Sequence, residues 1–254
     1  MNSTATPELL RVQGLVKRFD GILATDHFSL SVHEGELVAV IGPNGTGKTT
    51  LITQLSGELA PDEGSVVFAG RAVTRLAVHA RAALGFARSF QITSIFSDFT
   101  VLQNVALAVQ AKAGHSFRFW GDAGADAGLA RAAMGFLEEV GLAARAALPA
   151  ASLSHGEKRA LEIAIALAAR PRLLLLDEPM AGMGPEESER MIKLLASLKG
   201  RLSTILIEHD MDAVFALADR IAVLVSGRII ALGTPDEIRG NEEVRQAYLG
   251  EGGA

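Results

Sequence analysis

The chain has 254 residues and a formal net charge of −5; 49% of its residues are hydrophobic and 21% are charged. These values resemble those of ordinary globular domains and argue against a disordered chain. The acidic balance argues against a general nucleic-acid binder, which needs a basic surface to displace counterions from phosphates. No cysteine is present, which excludes disulfides and thiolate metal sites.

The sequence shows no membrane-spanning or secretory segment of its own. No apolar run approaches the roughly 18 to 20 residues that span a bilayer. The start, MNSTATPELL, lacks the positive and apolar regions of a signal peptide. If the protein acts at a membrane, we expect another chain to supply the span.

The opening third of the chain predicts a small antiparallel sheet and one buried strand. Residues Leu9–Val40 read as strands, because in HFSLSV the apolar Phe28, Leu30 and Val32 alternate with polar residues. This alternation is typical of a half-buried antiparallel strand. The remaining elements of this third are a helix over Leu51–Leu59, a turn at Pro61–Gly64 and a strand over Ser65–Phe68.

The middle of the chain, from about Thr74 to Ala169, predicts an inserted helical lobe. Alanine-rich helical patterns cover Val101–Lys112 and Leu129–Val140. Between them lies GHSFRFWGDAGADAG, whose aromatic residues indicate either a surface loop anchored by its own side chains or a loop that faces a partner. These aromatic residues are Phe117, Phe119 and Trp120.

The last third alternates strands and helices, which predicts a parallel sheet with helices packed on it. The predicted elements are the strand Leu173–Leu176, the helix Pro185–Leu198, the strand Thr204–Ile207, the helix Met211–Ala218 and the strand Ile221–Val225. Ser226 and Gly227 then predict a hairpin into Arg228–Leu232. Because we find no internal repeat or low-complexity linker, tandem copies within this chain are excluded.

A phosphate-binding loop is predicted at GPNGTGKTT, which follows the apolar run Leu37–Ile41. Its glycines let backbone N–H groups point at phosphate oxygens, and the helix that follows directs its positive end at the same anion. We expect Lys48 to reach the β- and γ-phosphates and the Thr49 hydroxyl to bind Mg²⁺. The alternative is a strand-to-helix turn that binds nothing. The residues assigned to nucleotide binding are Gly42, Asn44, Gly45, Gly47, Lys48, Thr49 and Thr50.

Acidic residues end the apolar strand in RLLLLDEP, where Asp177 and Glu178 follow four leucines. A carboxylate at the mouth of the sheet can hold Mg²⁺ beside the phosphate loop. The next carboxylate can orient the attacking water or accept its proton. An acidic turn that merely closes a strand would be the favoured interpretation without the upstream loop.

Three further polar features fit the same chemistry. His209, in IEHD, follows a predicted strand at the same edge, although a lone histidine is more often structural. Gln91, in RSFQ, has an amide able to bind both Mg²⁺ and water. In LSHGEKRALEIAIALA, Ser154 predicts a capping box, and its hydroxyl with the Gly156 N–H also forms an anion site. Because this lobe has no phosphate, the anion would come from a second subunit.

With these motifs in this order, the chain resembles the ATP-binding cassette ATPases from Arg11 to about Leu249. The resemblance implies an α/β P-loop NTPase fold with a mainly parallel sheet, an N-terminal antiparallel β-subdomain and an inserted α-helical subdomain. It implies one domain over residues 1–254, with a catalytic core over 1–90 and 170–254 and a helical lobe over 91–169.

The resemblance also implies ATP and Mg²⁺ as ligands and assigns roles to the motif residues. Two cassettes pack head to tail in that family, so that each ATP lies between one phosphate loop and the partner's signature helix. The signature helix corresponds here to LSHGEKRALEIAIALA. The implied roles are phosphate and metal binding for Lys48, Thr49 and Thr50, metal support for Asp177, the catalytic base for Glu178, γ-phosphate sensing for Gln91 and His209, and action across the dimer for Ser154 and Gly156. Phe19, in KRFDG, matches the position of an adenine-stacking aromatic residue, with a core or edge phenylalanine as the alternative.

The chain departs from the family's pattern at three positions. His155 replaces the first glycine of the signature, and Glu157 replaces its glutamine. Gly184 stands where many relatives carry an aspartate that links the two sites, so the role of that aspartate is not carried over to this chain.

The chain resembles the importer subgroup for branched-chain and other hydrophobic amino acids. The segments that carry this resemblance are LSHGEKRALEIAIALA, DEPMAGM, IEHDM and AYLG near the end of the chain. This implies a peripheral protein at the cytoplasmic face of the membrane, paired with a second ATPase subunit that is either identical to this chain or different from it. Two permease chains would dock on the segment from Gln91 to Leu102. A solute-binding protein would act indirectly, through the permease chains. Apolar candidates for this docking are Ile92, Ile95, Phe96 and Phe99. No nucleic-acid partner is expected.

Three alternative functions compete with this interpretation. Importers of urea, amides or aromatic acids share these details. A soluble cassette protein of translation or DNA repair usually has two cassettes or a long coiled coil, and neither is present. A P-loop kinase or GTPase would leave LSHGE unexplained, and the chain has no NKxD-type guanine motif.

Overall fold

The computed structural model describes residues 6–89, 95–112 and 127–249. The strands in this part of the chain are β1 (Glu8–Phe19), β2 (Ile22–His33), β3 (Leu37–Ile41), β4 (Glu63–Phe68), β5 (Arg71–Ala72), β6 (Phe86–Arg88), β7 (Leu173–Asp177), β8 (Ser203–Ile207), β9 (Arg220–Val225) and β10 (Arg228–Gly233). The α-helices are α1 (Lys48–Ser56), α2 (Val78–Leu84), α3 (Val101–Lys112), α4 (Ala127–Glu139), α5 (His155–Ala168), α6 (Pro185–Leu198), α7 (Met211–Leu217), α8 (Pro235–Arg239) and α9 (Glu242–Leu249).

The chain divides into two compact units. The first comprises Met1–Phe86, Arg172–Glu178 and Leu198–Ala254, and the second comprises Ala87–Pro171 and Pro179–Ser197. These bounds differ from the predicted lobes, because the segment 179–197 groups with the helical unit rather than with the core. Within that unit, the Ser154 hydroxyl donates to Glu187 at 2.9 Å, and His155 Nε2 lies 3.0 Å from the Ala181 carbonyl oxygen.

The first unit contains two sheets. The four-stranded sheet has the order β2-β1-β4-β5 and is antiparallel, as the alternation in β2 predicts. The six-stranded sheet has the order β10-β9-β3-β8-β7-β6. Within it β9, β3, β8 and β7 are parallel, and β10 returns antiparallel as the predicted hairpin. The α/β fold predicted from the sequence is confirmed.

The central parallel strands are apolar because both of their faces are covered. All five residues of β3, of β7 and of β8 are buried. Such continuous burial distinguishes parallel strands of an α/β sheet from the alternating pattern of β2. Their side chains share one core with the antiparallel sheet and with α1, including Val38, Phe28, Leu51 and Leu175.

The second unit is built around α3, α4 and α5. Its core includes Val101 and Val105 from α3, Leu137 from α4 and Leu161 from α5. The hydrophobic face of each helix is buried in this shared core, which explains the alanine-rich periodic pattern of this region. Of the predicted helix bounds, those of α3 and α6 coincide with the structure.

The region from about Thr74 to Ala169, predicted to consist of helical stretches, also contains a short strand. Gly85 ends α2 with a φ of 109°, and its N–H bonds to the carbonyls of Ala82 and Arg81. The next residues form β6 at the edge of the six-stranded sheet. A three-residue strand of this kind has no periodicity of its own, because sheet pairing decides it.

Other element bounds shift by a few residues. The helix predicted over Leu51–Leu59 ends at Ser56, because Gly57 takes a left-handed conformation and its N–H bonds back to Gln54. The short terminal helices α8 and α9 had no counterpart in the prediction. Within residues 6–89, 95–112 and 127–249, no helix combines the length and apolarity that crossing a bilayer requires.

Candidate functional site

The parallel sheet brings three predicted motifs to one edge. Val40 of β3 and Asp177 of β7 both pair with Ile207 of β8, so the three strands end in the same row. The residues that follow these strands therefore emerge side by side. They are the loop beginning at Gly42, Glu178, and the pair Glu208 and His209.

The phosphate-loop sequence is held tightly by neighbouring backbone. A Cβ atom at Gly47, whose φ is 99°, would lie 1.9 Å from the Ala24 carbonyl oxygen, and one at Gly42 would lie 2.0 Å from that of Leu224. The hairpin between β9 and β10 adds a hydrogen bond from the Gly227 N–H to the Thr46 carbonyl at 3.1 Å. The glycines at 42 and 47 are thus required by close packing as well as by backbone conformation.

Lys48 is buried at the first position of α1, and its ammonium group points back into the loop. Its Nζ donates to the carbonyl oxygens of Gly42 at 2.6 Å and Pro43 at 2.7 Å. The Thr49 side chain is exposed beside it. A lysine held inside a loop of this kind places a positive charge where an anion can approach.

The acidic pair after β7 differs in burial. Asp177 is 2% exposed, whereas Glu178 is partly exposed and has a φ of 48°, which is unusual for a residue with a side chain. The Glu178 N–H bonds to the Ile207 carbonyl at 2.9 Å, which holds this conformation against the next strand. Strained backbone of this type is frequent at functional sites.

His209 faces Glu178 across the strand ends. Its Nδ1 lies 3.9 Å from Glu178 Oε1, which is too long for a hydrogen bond, and its side chain is 62% exposed. The buried Glu208, which sequence reasoning did not single out, accepts a hydrogen bond from the His209 N–H at 3.1 Å. The sequence signal for Glu208 is that it is an acidic residue directly before a histidine at the end of a predicted strand.

A cavity of about 220 Å³ lies between the phosphate-loop sequence and Glu178. Its lining comprises Ile22, Ala24, Asn44, Gly45, Gly47, Lys48, Thr49, Thr50 and Glu178. Phe19 is not part of this lining; it lies at the end of β1, is 45% exposed and carries the Lys17 ammonium 5.6 Å from its ring centre. The core interpretation of Phe19 is therefore wrong; its side chain is exposed at the end of β1, close in sequence to Ile22.

Ser154 is the N-cap of α5, and the predicted capping box is confirmed. Its hydroxyl accepts from the Glu157 N–H, and the Glu157 carboxylate accepts from the Ser154 N–H at 2.9 Å. Arg145 Nε donates to the same carboxylate at 3.0 Å. Ser154 and Gly156 belong to the second unit, whereas the loop at Gly42–Thr50 belongs to the first.

Glu187 is the residue beside this helix start that sequence reasoning missed. It accepts a hydrogen bond from the Ser154 hydroxyl at 2.9 Å, and this bond is the main reason that its pKa lies below the usual range. Hydrogen bonds from the backbone N–H groups of Gly156 and Gly184 and the charge of Arg190 lower the pKa further. Glu187 could have been noticed in the sequence because it is an acidic residue in the first turn of the helix predicted to begin at Pro185.

The segment before α3 exposes two aromatic side chains. Phe96 and Phe99 stack with ring centres 5.3 Å apart and are 59% and 41% exposed, whereas Ile95 packs against the helical core. Buried Asn104 fixes this segment, because its side chain accepts from the Phe96 N–H and donates to the Phe96 carbonyl. Gln91, Ile92 and the aromatic residues Phe117, Phe119 and Trp120 lie outside the described residues.

Comparison with known proteins agrees with this arrangement. Residues 25–181 match the family model described as ABC transporter, and residues 228–254 match the model described as branched-chain amino acid ATP-binding cassette transporter. The chain is 41% identical to the high-affinity branched-chain amino acid transport ATP-binding protein LivG of Salmonella typhimurium, over 96% of this chain and 98% of that protein. It is 38% identical to the corresponding protein BraF of Pseudomonas aeruginosa, with the same coverage.

A solved structure supports the same assignment. The ADP conformation of an ATP-binding cassette of an ABC transporter matches with a TM-score of 0.85 and 30% identity, over 96% of this chain and all of that one. The chain therefore belongs to the ABC transporter family, as one of its ATP-binding, ATP-hydrolysing cassettes.

Proposed function

We propose that this chain powers an importer of branched-chain or other hydrophobic amino acids from the cytoplasmic face of the membrane. The observation that carries the proposal is its similarity, along nearly its whole length, to LivG and BraF, which are named for branched-chain amino acid transport. The match of residues 228–254 to a model described for that transporter class supports the same substrate.

In this proposal the loop from Gly42 to Thr50 holds the ATP phosphates. The buried ammonium of Lys48 now bonds to two loop carbonyls, and phosphate oxygens would replace these acceptors. Asn44, Gly45, Gly47 and Thr50 line the same cavity. Phe19 would stack on adenine from the exposed end of β1.

The residues proposed to hold Mg²⁺ carry the kind of donor atom that this cation prefers. The Thr49 hydroxyl and the Asp177 carboxylate are oxygen donors, which this hard cation prefers, and we add the Gln91 amide from the sequence. When bound, Mg²⁺ would neutralise charge on the phosphate oxygens.

Glu178 is the proposed catalytic base. Its partly exposed carboxylate lines the cavity beside Lys48, where it can orient a water molecule and accept its proton as the water attacks the γ-phosphate. His209, with its imidazole 3.9 Å from Glu178, would contact the γ-phosphate or this water. Gln91 would sense the same phosphate.

The site is completed by a second ATPase subunit, identical to this chain or not. Ser154 and Gly156 form the start of a 14-residue helix, where a hydroxyl and backbone N–H groups favour an anion. We assign to them the γ-phosphate held by the partner's loop. ATP would thus close the dimer, and hydrolysis would release it.

The permease chains would dock on the segment between Gln91 and Leu102. Exposed Phe96 and Phe99 provide the apolar contact, since large exposed aromatic pairs often mark interaction surfaces. The solute-binding protein would act indirectly through the permease. An importer of urea, amides or aromatic acids is the alternative, and a soluble cassette protein is the more distant one.

Reconstitution of the complete transporter tests the proposal. The chain is co-purified with its membrane chains, placed in vesicles and assayed for ATP hydrolysis with the candidate binding protein. Leucine, isoleucine or valine should raise hydrolysis, whereas urea and aromatic acids should not. A rise with urea or an aromatic acid alone would reassign the substrate, and failure to co-purify would favour the soluble alternative.

The Glu178→Gln variant provides the control for this assay. It should retain ATP binding, trap the ATP-bound dimer and abolish the stimulated hydrolysis. Steady turnover near the wild-type rate would remove Glu178 as the base.

A further inference from the structure

The anion site at the start of α5 already contains an anion from the same chain. Glu187 Oε1 lies 2.9 Å from Ser154 Oγ, and the backbone N–H of Gly156 also donates to the Glu187 side chain. A Cβ atom at Gly156 would lie only 2.8 Å from Glu187 Cδ, so the carboxylate sits directly on the helix start.

We infer that Glu187 occupies the signature's phosphate site in the absence of ATP and that the γ-phosphate of a partner's nucleotide must displace it. The inference rests on the proposed role of Ser154 and Gly156 across the dimer. Glu187 would then set the ATP concentration at which the dimer closes.

The number of available protons makes the two ligands mutually exclusive. A serine hydroxyl has one proton, and that of Ser154 is donated to Glu187 while its oxygen accepts from the Glu157 N–H. The Gly156 backbone likewise has one N–H. A phosphate oxygen can take these donors only if Glu187 leaves, and two anions at one helix start would also repel each other.

The occupant is a carboxylate rather than a neutral acid at neutral pH. Its pKa is lowered first by the Ser154 hydroxyl, then by the backbone N–H groups and the charge of Arg190. A carboxylate resembles a phosphate oxygen in accepting charge-assisted hydrogen bonds, which is why this residue can substitute for the nucleotide.

If Glu187 is displaced, its side chain can move into a neighbouring cavity that also offers cationic partners. A cavity of about 530 Å³ adjoins it, and Arg145 and Arg190 are part of its lining. Arg190 is three residues along α6, a spacing at which opposite charges interact on a helix surface.

A purely structural role is the competing explanation. Glu187 is the third residue of α6, and it accepts a hydrogen bond from the N–H of Gly184, as a capping glutamate does. Such a cap would affect stability but not the ATP concentration required for turnover.

The test uses the assembled transporter with Glu187→Gln and, separately, Glu187→Ala. KM and kcat for ATP hydrolysis are measured, and the affinity of the isolated chain for MgADP is measured by calorimetry. Because a neutral acceptor binds these donors about half as strongly as a carboxylate, we expect KM to fall about three- to tenfold in Glu187→Gln. The affinity for MgADP should not change, because ADP lacks the γ-phosphate.

Glu186→Gln is the matched control. It removes the same charge from the same exposed helix turn, away from Ser154, and should leave KM unchanged. An unchanged or raised KM in both Glu187 variants would overturn the inference. If the melting temperature of these variants also fell, Glu187 would serve only as a helix cap.

Ser154→Ala separates this inference from the proposed function. If this variant hydrolyses ATP normally, the role of Ser154 across the dimer fails, and the inference fails with it. If Ser154→Ala impairs hydrolysis while the Glu187 variants keep the wild-type KM, only the inference about Glu187 fails.

Discussion

Arg81 is the largest fully buried side chain of the described core, at 1% exposure. Its guanidinium donates to the carbonyls of Gln54 and Leu55 at the end of α1, and to those of Thr74 and Leu76. The last carbonyls of a helix have no partner within the helix, so this arginine replaces water that cannot reach them. Burial lowers the pKa of Arg81 from its ordinary value.

Removing this side chain should destabilise the first unit strongly. Arg81→Met removes the guanidinium donor from four carbonyls, so we expect the free energy of unfolding to fall by about 3 kcal/mol in urea denaturation. Arg18→Met is the control, because this side chain is 53% exposed and its ion pair with Glu63 is solvated. A loss for Arg81→Met no larger than that of the control would contradict the structural role.

The position of a single residue in the fold could be predicted from the sequence when it depends on the immediate neighbours of that residue. Lys48, Asp177 and Glu178 were located because a loop pattern and a strand end define them locally. Arg81 and Glu187 were missed because their partners come from other elements. Their contacts arise only when α2 approaches α1, or when α6 approaches α5.

Elements with strong periodicity were also predictable, and those decided by tertiary pairing were not. The apolar run LLLLD indicates the strand β7, and the regular spacing of apolar residues in VLQNVALAVQAK indicates the helix α3. β6 has only three residues and exists because it pairs at a sheet edge. The alternation in β2 and the tight turn at Ser226 and Gly227 predicted the antiparallel parts correctly.

The phosphate loop is the element whose geometry tolerates least change. At Gly47 any side chain meets the Ala24 carbonyl at 1.9 Å and also requires a φ of 99°. Gly47→Ala should therefore weaken ATP binding by about tenfold or more, because the loop must shift to relieve the clash. Fluorescent-nucleotide titration of the purified chain measures this loss.

Gly70→Ala is the matched control for backbone strain. Gly70 has a φ of 77° in the turn between β4 and β5, and nothing lies within 4 Å of an added Cβ. This variant should lose about 1 kcal/mol of stability without a change in ATP affinity. Equal ATP affinity in Gly47→Ala and the wild type would show that the loop adapts to the added methyl group.

At the scale of the whole molecule, the donors assigned to one ATP lie in two different units. The loop at Gly42–Thr50 belongs to the first unit, and Ser154 with Gly156 belongs to the second. The proposed head-to-tail dimer takes the first set from one subunit and the second set from its partner. A dimer therefore contains two composite sites, each of which depends on both chains.

Mixed dimers of two inactive variants of this chain test that arrangement. Lys48→Ala removes the loop's cation, and Ser154→Ala removes the signature hydroxyl, which should cost about tenfold or more in hydrolysis if it stabilises developing charge. In a mixed dimer one site then carries both defects, and the other has an intact Lys48 with an intact Ser154. Co-purification through two different tags, followed by an ATPase assay, should show about half of the wild-type rate if the two sites turn over independently. If each chain supplied its own Ser154, both sites would be damaged and the mixed dimer would be as inactive as either variant alone.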